Sequence, residues 1–550
     1  MGVHIVEKIG DVKIYGTGQM GGKGAGLVKI NECQLPNAHK LRTRVLTTTF
    51  FDNYINNGGK FSASDLEPVA DIFKKIGNIP ISVRSSATNE AWLSADGTSS
   101  VHAGENTSFM LPNNHADDRV RFNQLIQSIY FIYRDFIEKQ PPDSQEKMAV
   151  VINPIPGIYD STDVGPIYYP LVSGVANSHF PYALKTQHAT EGFARIALGH
   201  GYATVLDEFP VISMATIKNP LPFNLTGEGQ SFFYAIDLTR NEQLAGDELD
   251  TMKKLHVRFS TTPYLQHLGI KNNVVTFEEL IFGEKFSFKN GLMEIMDIIS
   301  EKISSNFQIE FVFNFIEEDN RLMGRFHLVQ LTQLPEIKFE QINIPDRGTN
   351  TYLHIRNLQG HGIKNDIKSA LIISPFLYKK ELHNMVCQEI SKANRRLKEK
   401  GQSYILIAPG RLGSKNREWG IQIEYRDVDG AAAIFEYGVD IAGRSEPVHE
   451  TESRTGGIYG SHFLYMIQRG HDEEQKRLQT RMYGTQGTHF LTNLMSNNVI
   501  YGFIAPDQDS IDPWFFSPPQ TDQPIYTLEF PDRVSIYADS INQKCIIISQ

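Results

Sequence analysis

Cysteine is nearly absent. The three in 550 residues, Cys33, Cys387 and Cys545, stand far apart and show neither CxxC nor Cys–His spacing. That excludes a disulfide framework and a cysteine-ligated zinc site, and the three read as thiols of a reducing compartment. Long apolar runs are missing too: none approaches the ~20 residues of a membrane-spanning helix. Positive charge is in short supply, with 53 Lys and Arg against 63 Asp and Glu and a formal net charge of -10. A nucleic acid held on a basic face is therefore not expected. The first residues, MGVHIVEKIGDVKIYG, carry charges where a signal peptide needs an apolar block. Val6 stands where a myristoylation signal needs Ser or Thr. A cytoplasmic location is expected. What is there is the composition of a folded protein, 41% hydrophobic and 21% charged, which excludes disorder as the general state. Length suggests roughly three to four domains.

Two stretches have the chemistry of phosphate binding. Residues 16–26 (GTGQMGGKGAG) read as a glycine-rich loop running into a helical pattern, where backbone amides can approach an anion and Lys23 supplies a point charge. This is not a P-loop, because Gly24 follows the lysine. Nor is it a dinucleotide fingerprint, because no acidic residue follows at the required distance. Further on, Ile79–Val83 reads as a buried strand after which Arg84, Ser85 and Ser86 open a hydroxyl-rich loop. A guanidinium fork beside hydroxyls and loop amides suits phosphate. The alternative is a surface loop whose arginine makes an ordinary ion pair.

Between and beyond these stretches the pattern predicts a strand over Val45–Phe51 and a helix over 64–76 capped by Ser64. It also predicts a long amphipathic helix over Arg119–Lys139, stopped by Pro141 and Pro142, and a buried strand over Met148–Ile152. Strand-like pieces follow at 170–176 and 191–205, with a glycine turn in which His200 either faces a ligand or is solvated. VVTFEELIF (274–282) reads as strand, and a helix is expected near 292–304. Strands at 308–316 and 325–331 form a hairpin around the acidic turn Glu317–Asn320. Glu310 lies in an otherwise apolar strand, where a buried carboxylate needs a partner or a cation. With Gln330 on the neighbouring strand, two oxygens suited to Mg²⁺ are available. The alternative places Glu310 in solvent at a sheet edge.

Taken in order, GGKGAGL (21–27), ISVRSSATNEA (81–91) with HAGENTSFML (102–111), MAVVI (148–152), and the pair IEFVF (309–313) and HLVQL (327–331) resemble the N-terminal nucleotide-binding region of pyruvate phosphate dikinase and phosphoenolpyruvate synthase. The resemblance implies an ATP-grasp fold, with ATP and Mg²⁺ held between two α+β lobes. It makes Lys23 and Arg84 the residues that grip phosphate, and Glu310 and Gln330 the metal ligands. Gly22, Ser85, Gly104 and Glu279 would line the nucleotide. Three departures stand out. Gln308 replaces an acidic residue, Thr332 replaces an arginine, and Leu198-Gly-His-Gly201 lacks the glutamate of the family's turn. Loss of charge around the phosphates weakens a phosphoryl-transfer clamp, so nucleotide binding is a safer expectation than turnover.

Residues 341–550 show no run of eight strand–helix units, so the pyruvate-binding barrel of those enzymes is not expected. The pattern there predicts a helix over Tyr378–Lys400 and strands at Tyr404–Ala408, Trp419–Tyr425 and Ala431–Tyr437. In the loop after Pro409, Arg411, Ser414, Lys415 and Arg417 form either a second anion site or a solvated basic turn. Two echoes, GSHFL (460–464) and GTHFL (487–491), carry His462 and His489. They are reminiscent of the phosphorylatable histidine on the dikinases' swivelling domain. Histidines packed beside Phe463 and Phe490 are the alternative, and the small-residue helix that follows the phosphohistidine is missing.

The expected architecture is α+β: an ATP-grasp-like region of two lobes, 1–215 and 216–340, followed by a C-terminal α/β or α+β domain, 341–550, that presents or receives the acceptor. The expected activity is Mg²⁺-dependent phosphate transfer from ATP to a histidine, a small molecule or a protein acceptor. Two rivals are an ATP-grasp ligase working through an acyl phosphate and a nucleotide sensor or scaffold. Neither nucleic acid nor membrane is an expected partner, and a homodimer is compatible with the chain.

Overall fold

The computed structural model describes residues 7–90, 104–140, 144–179, 192–205, 211–214, 217–218, 222–223, 230–240, 242–303, 306–334, 340–356, 358–374, 377–378, 380–409, 411–413, 420–437, 488–504, 509–516, 523–542 and 544–550. The protein is mixed α+β with several sheets. It forms two compact units, the first drawn from within residues 1–335 and the second chiefly from 336–550.

The first unit contains a six-stranded sheet in the order Glu7–Ile9, Val12–Tyr15, Thr43–Leu46, Met148–Pro154, Ile81–Ala87, Ser108–Leu111. One face carries Leu46, Val83, Val150 and Ile152 and packs on the helices Thr48–Asn56, Ala63–Ile76 and Asp118–Lys139 through Phe51, Tyr54, Ile72, Ile129 and Tyr133. The other face presents Val12, Ile14, Val45 and Val151 to the helix Gly21–Glu32. That helix also packs on the strand Arg321–Leu334, so it lies between two sheets. The second sheet has seven strands, with Val172–Asn177, Asn306–Glu318 and Arg321–Leu334 adjacent and antiparallel. Its strands come from both sides of residue 215, so the lobe boundary expected there falls within a continuous sheet. A four-stranded sheet and the helix Phe288–Lys302 complete the first core.

Several elements depart from the sequence reading. Arg84, Ser85 and Ser86 are not loop but the centre of the strand Ile81–Ala87, bonded on both sides to Ser108–Leu111 and Met148–Pro154. The glycine-rich loop ends at Met20, and Gly21–Gly26 are already helical. Thr43–Leu46 is strand, but the residues after it form the helix Thr48–Asn56, entered through an extended Thr47. The cap of Ala63–Ile76 is Ser62, in a reciprocal box with Asp65, rather than Ser64. VVTFEELIF contributes only the two-residue strand Val274–Val275 before turning, at Phe277 with φ 56°, into the helix Glu278–Ile281.

The second unit is built on a nine-stranded sheet whose centre is parallel: Gly362–Ile373, Tyr404–Pro409, Ala431–Tyr437 and Ile500–Ile504. The helix His383–Glu399 crosses between the first two of these strands. Ile525–Asp539 and Lys544–Ser549 extend the sheet in the antiparallel sense. His462 lies outside the described residues, as do Ser414, Lys415 and Arg417. His489 belongs to the helix Thr488–Ser496. Among the described residues no helix is long and apolar enough to cross a membrane.

Candidate functional site

The first unit brings together residues that are far apart in sequence. Arg84 projects from the middle of the six-stranded sheet to the hairpin of the seven-stranded one. Its Nη2 donates to Glu310 Oε2 at 2.9 Å and to Gln330 Oε1 at 2.6 Å, and its Nη1 donates to the Val329 carbonyl at 3.2 Å. The last contact has a local cause. Glu310 pairs with Gln330 and Phe311 with Leu328, so Val329 is the extra residue of a β-bulge, and a bulged residue leaves the ladder with backbone groups to spare.

Glu310 does not sit at a sheet edge, because its strand runs between Val172–Asn177 and Arg321–Leu334. Its side chain is 17% exposed and that of Arg84 is 11% exposed. The carboxylate thus has the partner that its apolar strand demands. Gln330 is oriented by Thr332: its Nε2 donates to Thr332 Oγ1 at 3.0 Å, which turns Oε1 toward Arg84. The residue that replaces the expected arginine therefore aims the neighbouring amide.

Lys23 projects from the first turn of Gly21–Glu32 and forms a buried ion pair with Glu90. Burial pulls its ammonium below the ordinary lysine value; the Glu90 carboxylate opposes that, and the charge on Arg84 adds to it. The helix start is tied to the arginine strand by Ser86, whose hydroxyl donates to the Met20 carbonyl and accepts from Gly24 N–H. Gly21, at φ +65°, touches that strand directly: a β-carbon there would stand 1.8 Å from the Ser86 carbonyl oxygen. The residue at the cap position, Met20, makes no capping hydrogen bond through its side chain, and Ser86 supplies an acceptor to Gly24 N–H from the neighbouring strand.

His200 borders the same cluster. It is half-buried rather than solvated, and burial, followed by the charge on Arg84, pushes its imidazole down to about 4. Its Nδ1 is buried without a hydrogen-bond partner. The ring sits edge-on to Tyr202, whose hydroxyl donates to Asp250.

Lys23, Arg84, Glu310 and Gln330 thus belong to one cluster, with Gly22 beside Lys23 in the helix. Among the described contacts none ties Ser85, Gly104 or Glu279 to it. Ser85 alternates to the opposite face of its strand and donates to the Asn106 carbonyl. Gly104 is an exposed turn residue at φ +78°, and Glu279 is exposed on Glu278–Ile281. Sequence reasoning missed Glu90, which the alternation of a strand running to Ala87 would not reveal, and the Val329 carbonyl, which only the bulge exposes.

Among the described residues the site sets Lys23 and Arg84 against Glu90 and Glu310. The oxygens of Glu310 and Gln330 converge on one positive group, the Arg84 guanidinium. The chain matches no family model and no curated protein.

Proposed function

We propose that the first unit is an ATP-grasp-like nucleotide-binding module that takes ATP with Mg²⁺ and transfers phosphate, resembling the nucleotide-binding half of pyruvate phosphate dikinase and phosphoenolpyruvate synthase. The observation that carries this reading is the convergence of Lys23, Arg84, Glu310 and Gln330 from three separated stretches on one cluster. A composition-driven ion pair would not require Gln330, nor its orientation by Thr332.

In this reading Lys23 and Arg84 bind the phosphate chain, Arg84 through its planar fork and Lys23 as a point charge in the first turn of its helix. Glu310 and Gln330 hold the metal, which when bound neutralises charge on the transferring phosphate. Burial of the cluster between two sheets excludes water and strengthens each of these interactions. The acceptor is a histidine of this chain, His462 or His489, or a separate small molecule or protein.

A second reading is favoured by two residues. Gln308 and Thr332 are both 2% exposed and carry no charge. With neither an anion nor a cation at those positions, the clamp that speeds transfer is weakened, which suits a nucleotide sensor. One experiment separates the two. The purified chain is incubated with Mg²⁺ and γ- or β-labelled ATP, and nucleotide products and protein-bound label are followed by chromatography and mass spectrometry. Release of ADP or AMP supports transfer, and label on a histidine identifies the acceptor. Tight binding without turnover supports the sensor. Absence of nucleotide binding at millimolar ATP with Mg²⁺ overturns both.

A further inference from the structure

We propose that the first unit carries a second anion site, separate from the Lys23–Arg84 cluster, in which Arg44 with Lys13 and Lys8 holds a compact tetrahedral oxyanion of the phosphate class. The site lies on the opposite face of the six-stranded sheet and does not rest on the nucleotide-binding reading.

Its place follows from strand register. Lys8 pairs with Lys13 and Lys13 with Arg44, so three cations form one row across the strands Glu7–Ile9, Val12–Tyr15 and Thr43–Leu46. Residues paired in this way share a face of the sheet. Arg44 pairs with Ile152 and Arg84 with Val151, and successive residues of a strand face opposite ways. The row is therefore on the helix-covered side, turned away from Arg84. Burial deepens along it: Lys8 is exposed, Lys13 is half-buried and Arg44 is only 6% exposed.

Folding alone gives no reason for such a row. Like charges opposite one another on a sheet repel, and a cation removed from water needs an anion. Arg44 has none among the described residues. Its Nη1 donates to the Thr43 carbonyl at 2.9 Å, its Nε is buried without an acceptor, and no carboxylate forms an ion pair with it. Two carboxylates act on it only from a distance. Asp71, on the helix Ala63–Ile76, already accepts from the Tyr15 hydroxyl at 2.9 Å and pairs with Lys75 at 2.6 Å. Asp11 is exposed. Lys75 and the exposed Arg42 add further positive charge. The Lys13 ammonium registers this surplus: burial, then the charges on Arg44 and Lys75, pull it below the ordinary lysine value against the opposing pull of Asp71.

The side edge of a guanidinium, Nε–H beside Nη2–H, matches two oxygens of a phosphate, and in Arg44 that edge has no protein acceptor. Lys13 and Lys8 add point charges on flexible stems. With strands about 5 Å apart the row is about 10 Å long, and one end is sunk in the fold. That suits one compact group rather than a long polyanion, which the net charge of -10 also opposes.

The test is equilibrium dialysis of the full chain against labelled inorganic phosphate at low ionic strength. The unaltered chain should bind phosphate saturably. Arg44→Met, which keeps the apolar stem, and Lys13→Met should each weaken that binding about tenfold or more, and Arg84→Gln should retain it. No saturable binding at millimolar phosphate overturns the proposal. So does binding that survives in Arg44→Met and Lys13→Met and disappears in Arg84→Gln, which would belong to the other cluster. If Arg44→Met does not fold, as judged by circular dichroism, Lys13→Met decides, because its side chain is only half-buried. Competition by phenyl phosphate distinguishes the sources: displacement of the label shows that the site accepts the phosphate of an ester, and its absence marks a site for the free ion. No nucleotide enters these measurements, so their outcome is independent of whether the chain binds ATP.

Discussion

Gly26 and Leu331 meet backbone to backbone: a β-carbon on Gly26 would lie 2.2 Å from the Leu331 carbonyl oxygen. The contact seats the helix that carries Lys23 on the strand that carries Gln330. Alanine is the better helix former by about 1 kcal/mol, but a clash with backbone cannot be relieved by a rotamer, and overpacking costs about 1–3 kcal/mol or more. Gly26→Ala should therefore destabilise the first unit by about 1–2 kcal/mol net, measured as a lower urea midpoint. It should also weaken nucleotide binding, because the helix moves away from the hairpin. An unchanged midpoint would mean that the helix is not held this closely.

Under the proposed function, Thr332 gives a prediction specific to a metal held by Glu310 and Gln330. Thr332→Val removes the hydroxyl that accepts Gln330 Nε2 and keeps the shape. A buried amide left unpaired costs about 1–3 kcal/mol, and misaimed outer partners lower metal affinity by roughly 10–100-fold. Mn²⁺ affinity in the presence of nucleotide should fall about tenfold, with nucleotide affinity in chelator unchanged. Thr332→Ser, which keeps the acceptor, should restore it.

The pH dependence follows from three half-buried histidines of the first unit. Burial pushes His179, His200 and His327 each down from 6.5 to about 4. The unfolded chain thus binds more protons than the folded one between those values, and stability rises with pH. The contribution is complete above pH 6.5, falls away progressively below that and is wholly lost once pH has fallen through about 4. The first unit should be on the order of 5 kcal/mol less stable at pH 5 than at pH 7, checked by urea titrations at the two values. Replacing His200 and His327 with Asn should flatten the slope.

How far the fold was legible depends on whether local pattern or distant contact decides an element. Asp118–Lys139, Ala431–Tyr437 and the hairpin Asn306–Glu318 with Arg321–Leu334 were readable, because a sustained period or a turn of acidic residues and asparagine specifies each locally. Thr48–Asn56 was not: Thr-Thr-Phe-Phe favours strand by propensity. What overrides it is packing of Phe51, edge-on, and Tyr54, tilted, against Tyr133, which lies some 80 residues away. The four cluster residues were legible as chemistry in the wrong setting. Arg84 was expected on a loop because hydroxyls follow it, yet those hydroxyls serve sheet and helix contacts. The pairing of Lys23 with Glu90 and the bulge at Val329 arise from tertiary register, which composition does not encode.

Glu436 offers an independent test in the second unit. Its side chain is fully buried on the central strand Ala431–Tyr437, and among the described contacts Oε1 accepts from Leu412 N–H at 2.8 Å and Oε2 from the Tyr501 hydroxyl at 2.8 Å. An amide has one acceptor end and one donor end, so Glu436→Gln must turn its NH₂ toward one of these donors. The cost is a charged hydrogen bond plus a donor facing a donor, about 2 kcal/mol or more. Tyr501→Phe removes the hydroxyl donor to Oε2 and should cost about 1–2 kcal/mol alone. In the pair, the amide can give its oxygen to Leu412 and direct its NH₂ where no hydroxyl remains, so the repulsion disappears. The double variant should therefore be more stable than the sum of the two losses by about 1 kcal/mol, read by guanidinium denaturation as a double-mutant cycle. Strict additivity would show that the carboxylate does not bridge the loop after Pro409 to the neighbouring strand.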